Sequence, residues 1–119
     1  MEFSQDDNAK MLVREILELN KDKPFVQRIL AQKTDRSSNS APSIPAGKDA
    51  KGRAMTATHK MGWNSDNRGH HVRPSVYMEN GKLKEDPTGR AAMKSGNFIT
   101  FKTPEEADWF SKNYKRVWD

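Results

Sequence analysis

Phe98-Ile99-Thr100-Phe101-Lys102-Thr103-Pro104-Glu105-Glu106-Ala107-Asp108-Trp109-Phe110 contains a strand, a turn and the start of a helix. Phe98 to Phe101 is the best strand by propensity, because aromatic and β-branched side chains fit a half-buried pleated surface. Thr103-Pro104-Glu105-Glu106 is a complete capping box with proline in the first turn, where no intrahelical N–H is needed. Ala107, Phe110, Tyr114 and Val117 follow at helical spacing and predict an amphipathic helix whose inner stripe faces a sheet.

Upstream, Met55, Ala57, His59, Met61 and Trp63 alternate with Thr56, Thr58 and Lys60, which predicts one half-buried strand. Residues 64–69 form a polar turn. Residues 70–78 make a second strand, with Val72, Val76 and Met78 on one face and Pro74 implying an edge position or a bulge. Glu79-Asn80-Gly81-Lys82 is a hairpin signal, since Asn-Gly tolerates the positive φ of a type I′ turn, and Leu83 begins a short third strand. Asp86-Pro87 opens a short helix containing Ala91, Ala92 and Met93, stopped by Gly96. Residues 53–119 therefore read as an α+β domain, a small antiparallel sheet covered by the C-terminal helix.

Residues 1–33 read as an amphipathic helical arm. Ala9, Leu12, Ile16 and Leu19 recur at spacings of three and four, with Met11 and Val13 widening the stripe and Asp6 or Asp7 as cap. Pro24 breaks the chain and restarts it as a second helix with Phe25, Val26, Ile29 and Leu30 on one face. Such short helices do not persist alone in water, so both faces must dock, either on the chain's own domain or on a partner. Residues 34–52 are rich in Ser, Pro and Gly around one large apolar residue, Ile44, and read as a linker. A linker so poor in apolar residues favours a partner surface. Leu12, Ile16, Leu19, Phe25, Ile29 and Leu30 are the expected docking residues, and a chain lacking residues 1–52 is expected to fold alone.

Length and composition narrow the function classes. The chain has 119 residues, 34% hydrophobic and 31% charged, with no cysteine and a formal net charge of +5. One small domain with attached arms is the most this can build. Disulfide scaffolds and thiolate chemistry are excluded. No stretch has the length of a membrane span, and residues 1–7 lack the apolar run of a signal peptide, so a soluble chain from a reducing compartment is expected. Residues 1–33 carry six acids and six bases, residues 34–53 two and four, and residues 54–119 eight and eleven, so no segment is a polybasic tail.

The reactive residues form no recognisable catalytic pattern. His70 and His71 point to opposite faces of a strand, and His59 with one of them and Asp66 falls short of a metal-ligand set. A half-buried His59 beside Thr58, with solvated His70 and His71, is the simpler expectation. Glu105, Glu106 and Asp108 complement a helix dipole. No phosphate loop or nucleophile motif occurs, so no enzyme activity, cofactor, metal or small-molecule substrate is expected. Lys112, Lys115, Arg116 and Trp118 interleave cations with aromatic rings, as single-strand binders do, and are the candidate nucleic-acid contacts.

Ala57-Thr58-His59-Lys60-Met61, Arg73-Pro74-Ser75-Val76, Asn80-Gly81-Lys82-Leu83, Gly96-Asn97-Phe98-Ile99-Thr100-Phe101, Thr103-Pro104-Glu105-Glu106-Ala107 and residues 109–115 together resemble a small module encoded by tailed bacteriophages. Residues 23–30 look like the segment that commonly precedes it. His70-His71-Val72-Arg73 is more polar than the aromatic second strand usual in that family. The module occurs in phage structural genes, alone or fused to long virion proteins, mostly without an assigned activity. The resemblance implies a minor structural protein of the head, head-tail interface or tail, located in the virion and assembled in the bacterial cytoplasm. Its partners would be other virion proteins in a symmetric assembly. The alternative is an accessory protein that contacts DNA through a basic surface.

Overall fold

The computed structural model describes residues 5–32, 44–48, 50–57 and 59–118. Its elements are α1 (Gln5–Leu19), α2 (Pro24–Ala31), β1 (Ile44–Lys48), β2 (Ala54–Ala57), β3 (Met61–Asp66), β4 (Gly69–Pro74), β5 (Val76–Glu79), β6 (Lys82–Glu85), α3 (Arg90–Ser95), β7 (Ile99–Phe101) and α4 (Pro104–Asn113), ending in a 3₁₀ segment (Tyr114–Trp118). All strand pairs are antiparallel, and the class is α+β.

The C-terminal half follows its local signals. The Thr103 hydroxyl oxygen accepts the Glu106 backbone N–H at 3.1 Å, the N-cap bond of the box, and the hydroxyl donates its proton to the Glu106 carboxylate at 2.9 Å. Asn80 (φ 52°) and Gly81 (φ 77°) join β5 to β6 through two left-handed residues, as the Asn-Gly pair requires. Gly96 stops α3 in the same conformation. α3 starts at Arg90, later than Asp86-Pro87 implied. The Asp86 carbonyl first accepts from Gly89 N–H in a turn, and its carboxylate then reaches Ala91 N–H at 2.8 Å.

β4 is the middle strand of the sheet β3-β4-β7, and α4 lies across one face of it. Val72 points into that interface and is fully buried with Ile99, Ala107, Phe110 and Tyr114. Its neighbours His71 and Arg73 lie on the opposite face and are buried too. The Arg73 guanidinium donates to Asn64 Oδ1 (3.1 Å), Ser75 Oγ (2.5 Å) and the Pro87 carbonyl (3.3 Å), tying β3 and β4 to the turn before α3. Gly62 and Gly89 cradle it, since a Cβ at either position would strike the guanidinium. Pro74 stands at a local edge, as expected, since β7 pairs only with His70, His71 and Val72 and leaves Pro74 a partner on the β3 side alone. It ends β4 opposite Met61, and Ser75 turns the chain into β5.

The N-terminal helices are not a free arm. Val13, Leu17, Phe25, Val26 and Ile29 are buried in one cluster with Val72, Ile99, Ala107, Phe110 and Tyr114, while Ile16 and Leu30 pack against it half-buried. Asn97 Oδ1 accepts the Phe25 N–H at 3.1 Å, and the Trp118 indole donates to the Ile29 carbonyl at 3.0 Å. Among the described residues the core therefore includes α1 and α2, and the compact body does not begin at residue 53. Sequence periodicity overlooked this because sheet and α4 together leave an apolar face that only α1 and α2 fill.

Two further expectations change. Ile44 begins a strand instead of lying in a linker: β1 pairs with β2, and Ile44 is buried with Val76 and Leu83. The other linker residues, 34–43 and Asp49, lie outside the described residues, as do the 1–4 segment and Thr58. The single strand expected from Met55 to Trp63 is two, β2 and β3, separated around Lys60, whose carbonyl accepts the Ser75 N–H at 2.8 Å.

Candidate docking surface

α1 turns the wrong face inward for the stripe expected of it. At about 100° per residue, the stripe Ala9-Leu12-Ile16-Leu19 centres about a quarter-turn away from Val13-Leu17. Val13 and Leu17 are fully buried, whereas Leu12 is 47% exposed, Leu19 76% and Met11 55%. Ile16 lies at the junction of the two stripes. Of the six expected docking residues, Phe25 and Ile29 are buried in the chain's own core, and Ile16 and Leu30 are half-buried against it. These four are corrected from partner contacts to internal packing. Leu12 and Leu19 remain on the surface.

Leu12 stands between two hollows. One, of about 530 Å³, runs between α1 and α4 and is lined by Leu12, Ile16, Phe101, Glu105, Glu106 and Trp109. The other, of about 520 Å³, lies on the outer side of α1 among Asn8, Met11, Leu12, Arg14, Glu15 and Glu18. Phe101 and Trp109 were not among the expected docking residues. Both rings are half-buried, packed against the core cluster and at the same time lining this hollow. A usable signal was present in α1 itself: apolar residues at 12, 13, 16, 17 and 19 span an arc wider than one packing face needs.

His71 is the second constellation, and the expectation of a solvated side chain fails there. It is 1% exposed, with Nε2 2.8 Å from Asp66 Oδ1 and Nδ1 2.8 Å from Thr100 Oγ1. Asp66 can only accept, so Nε2 carries the proton toward it. Hydrogen bonds from His71 and then Arg68 hold the Asp66 carboxyl well below the usual carboxylate range. Carboxylate, imidazole and hydroxyl thus lie in the order of a nucleophilic triad. The surroundings differ from those of a triad. A Cβ at Gly69 would meet the Thr100 methyl and the Phe101 carbonyl oxygen, and the Phe98 ring packs at a steep angle on the imidazole at 4.8 Å, so the imidazole is closed in by strand and ring. The chain of bonds satisfies a buried imidazole. Strand register alone could have found it, since His71 lies opposite Thr100.

The other histidines lie apart from it. His70 Nδ1 is 2.6 Å from Ser65 Oγ, and His59 is half-buried against Trp118, with Nε2 2.8 Å from Gln32 Oε1. Burial, and then the charges of Arg28 and Lys115, lower the His59 pKa to about 4. Among the described residues no group of three His, Cys, Asp or Glu could hold a metal ion.

The C-terminal aromatic-basic cluster is tied into the fold. Trp118 donates to Ile29 and contacts Tyr114 edge-on at 6.1 Å, so its ring is not presented as a stacking platform. Lys112 pairs with Asp108 at 2.9 Å, and Arg116 donates to Asn113 at 2.7 Å. Lys115 is exposed. No helix among the described residues is long and apolar enough to cross a membrane. Comparison with protein-family models, curated proteins and solved structures finds no match.

Proposed function

We propose that the chain is a non-enzymatic minor structural protein of a tailed-phage particle, docking on a neighbouring virion protein. The observation that carries the docking is the exposed stripe of α1, where Met11, Leu12 and Leu19 stay in water on a helix whose other side is fully buried. The phage setting rests on the sequence resemblance of residues 57–115 and on nothing else. In this reading the α+β body, stiffened by the Arg73 and His71 bonds, presents α1 as a rigid ridge. The partners are other virion proteins in a symmetric assembly, with no cofactor, metal or small-molecule substrate.

The net charge of +5 supports a second reading, an accessory protein on packaged DNA. It is the weaker one, because Trp118, Arg116 and Lys112 are engaged within the chain. A mass-spectrometric inventory of purified particles, with wild-type and Leu12→Gln/Leu19→Gln chains supplied in turn, tests both. The wild type is expected in particles and the double variant absent from them. Normal incorporation of the double variant, together with DNA binding that weakens steeply with salt, would replace the docking reading by the DNA one.

A further inference from the structure

Resting on the docking reading above, we propose that the surface around Leu12 takes a basic amphipathic helix of a partner protein. The two hollows beside Leu12 combine apolar side chains (Met11, Leu12, Ile16, Phe101, Trp109) with acidic ones. Glu105 and Glu106 stand on the α4 side, Glu15 and Glu18 on the outer side of α1, and Arg14 is the one cation among the lining residues. Four carboxylates against one guanidinium, on a chain of net charge +5, make this patch opposite in sign to the protein as a whole.

That contrast selects the occupant. Nucleic acid is repelled by the patch. A second copy of the same face would set carboxylates against carboxylates, and like charges brought together at an interface are costly. An amphipathic helix fits the shape, because apolar side chains three or four residues apart lie on one face and can enter the hollows on either side of the Leu12 ridge. Lysines or arginines flanking those anchors would reach the four carboxylates, which add orientation and discrimination against acidic helices. The carboxylates are held ready: Glu106 is fixed by the Thr103 hydroxyl, and Glu15 and Glu18 lie on the helix that supplies Leu12.

The probe is a synthetic amphipathic peptide of about four helical turns, with leucine anchors and lysine flanks, beside an otherwise identical peptide with glutamate flanks. Fluorescence anisotropy of the labelled peptides should show the lysine peptide binding the full chain at least tenfold more tightly. Leu12→Gln should weaken it at least tenfold, and Met11→Gln, at a more exposed position, should act in the same direction if Leu12→Gln lowers the melting temperature. Replacing Glu15, Glu18, Glu105 and Glu106 by Gln, which keeps the cap at residue 106, should abolish the preference for lysine. No binding of the lysine peptide, equal binding of both peptides, or self-association of the chain that Leu12→Gln abolishes in sedimentation would each overturn the proposal. Particle incorporation separates this failure from that of the docking reading. Loss with Leu12→Gln but not with the four Gln replacements overturns the basic partner alone, whereas full incorporation of Leu12→Gln removes the docking surface itself.

Discussion

Leu12 and Leu17 occupy the same helix and differ only in what they face, so the same truncation at each measures the orientation of α1. Leu17 is fully buried beside Val13 and α4's core residues, and Leu12 is 47% exposed. Leu17→Ala should cost about 2–5 kcal/mol, the lost transfer energy plus the cavity left behind. Leu12→Ala should stay within about 1 kcal/mol, because part of its surface is already in water and alanine is the better helix former. With about 3–6 °C per kcal/mol for a chain of this size, Leu17→Ala should lower the melting temperature by roughly 6–30 °C and Leu12→Ala by only a few degrees. Thermal and urea melts followed by circular dichroism are sufficient. The same core predicts that a chain starting at residue 53, which lacks five of the ten buried residues in the cluster, will not melt cooperatively. Equal destabilisation by the two truncations, or a 53–119 fragment as stable as the full chain, would refute the packing of α1 and restore a detachable arm.

Acid should weaken the fold in two successive windows. His59 titrates near 4 when folded against about 6.5 unfolded, so its contribution is complete above about pH 6.5 and is lost as the pH falls toward 4; His59→Gln should flatten urea midpoints over that range. Asp66, also depressed, contributes above the ordinary carboxylate range and loses that contribution at still lower pH, a loss that Asp66→Asn should remove. Gly89→Ala should destabilise by about 1–3 kcal/mol, since φ is 66° and the new Cβ meets Arg73; in a double-mutant cycle with Arg73→Ala the two losses should not add. Thr103→Ala should cost about 1 kcal/mol in urea unfolding by removing the cap of α4.

What was legible in the sequence is what a few adjacent residues decide. The α4 cap, the Asn80-Gly81 turn and the Gly96 stop each need only local backbone conformation, and each stands where its residues placed it. The β2–β3 break was illegible because it follows from what the two strands pair with, β1 for one and β4 for the other, partners that the alternation within residues 55–63 does not specify. β1 was illegible for a similar reason. Ile44 has no apolar neighbours in sequence, and its burial comes from Val76 and Leu83 across the fold. His71 looked solvated because its type is polar, yet Asp66 and Thr100 supply both ring nitrogens with partners, and a satisfied imidazole can be buried at modest cost. Of the candidate site, the sequence grouped Leu12 and Leu19, which the structure leaves exposed, with Phe25 and Ile29, which it buries, and could not separate the two pairs.

That failure has a physical origin in α1. A helix docked on one surface needs an apolar arc of about 100°, and α1 carries one nearer 160°, from Leu19 through Ile16 to Leu17. Periodicity fixes the arc but not the part of it that the chain itself covers. The choice is made by α2, which Pro24 restarts at once after α1 and which brings Phe25, Val26 and Ile29 into the same cluster as Val13 and Leu17. With those residues in place, rotating α1 to bury Leu12 and Leu19 would expose Val13 and Leu17 and would move Glu15 toward the sheet, exchanging apolar contacts for a buried carboxylate. The fold therefore holds α1 in the orientation that leaves half its apolar arc outside. Leu12, which stays outside, lines both hollows with Glu15, Glu18, Glu105 and Glu106, so the same packing that buries one stripe sets the charge frame around this residue of the other.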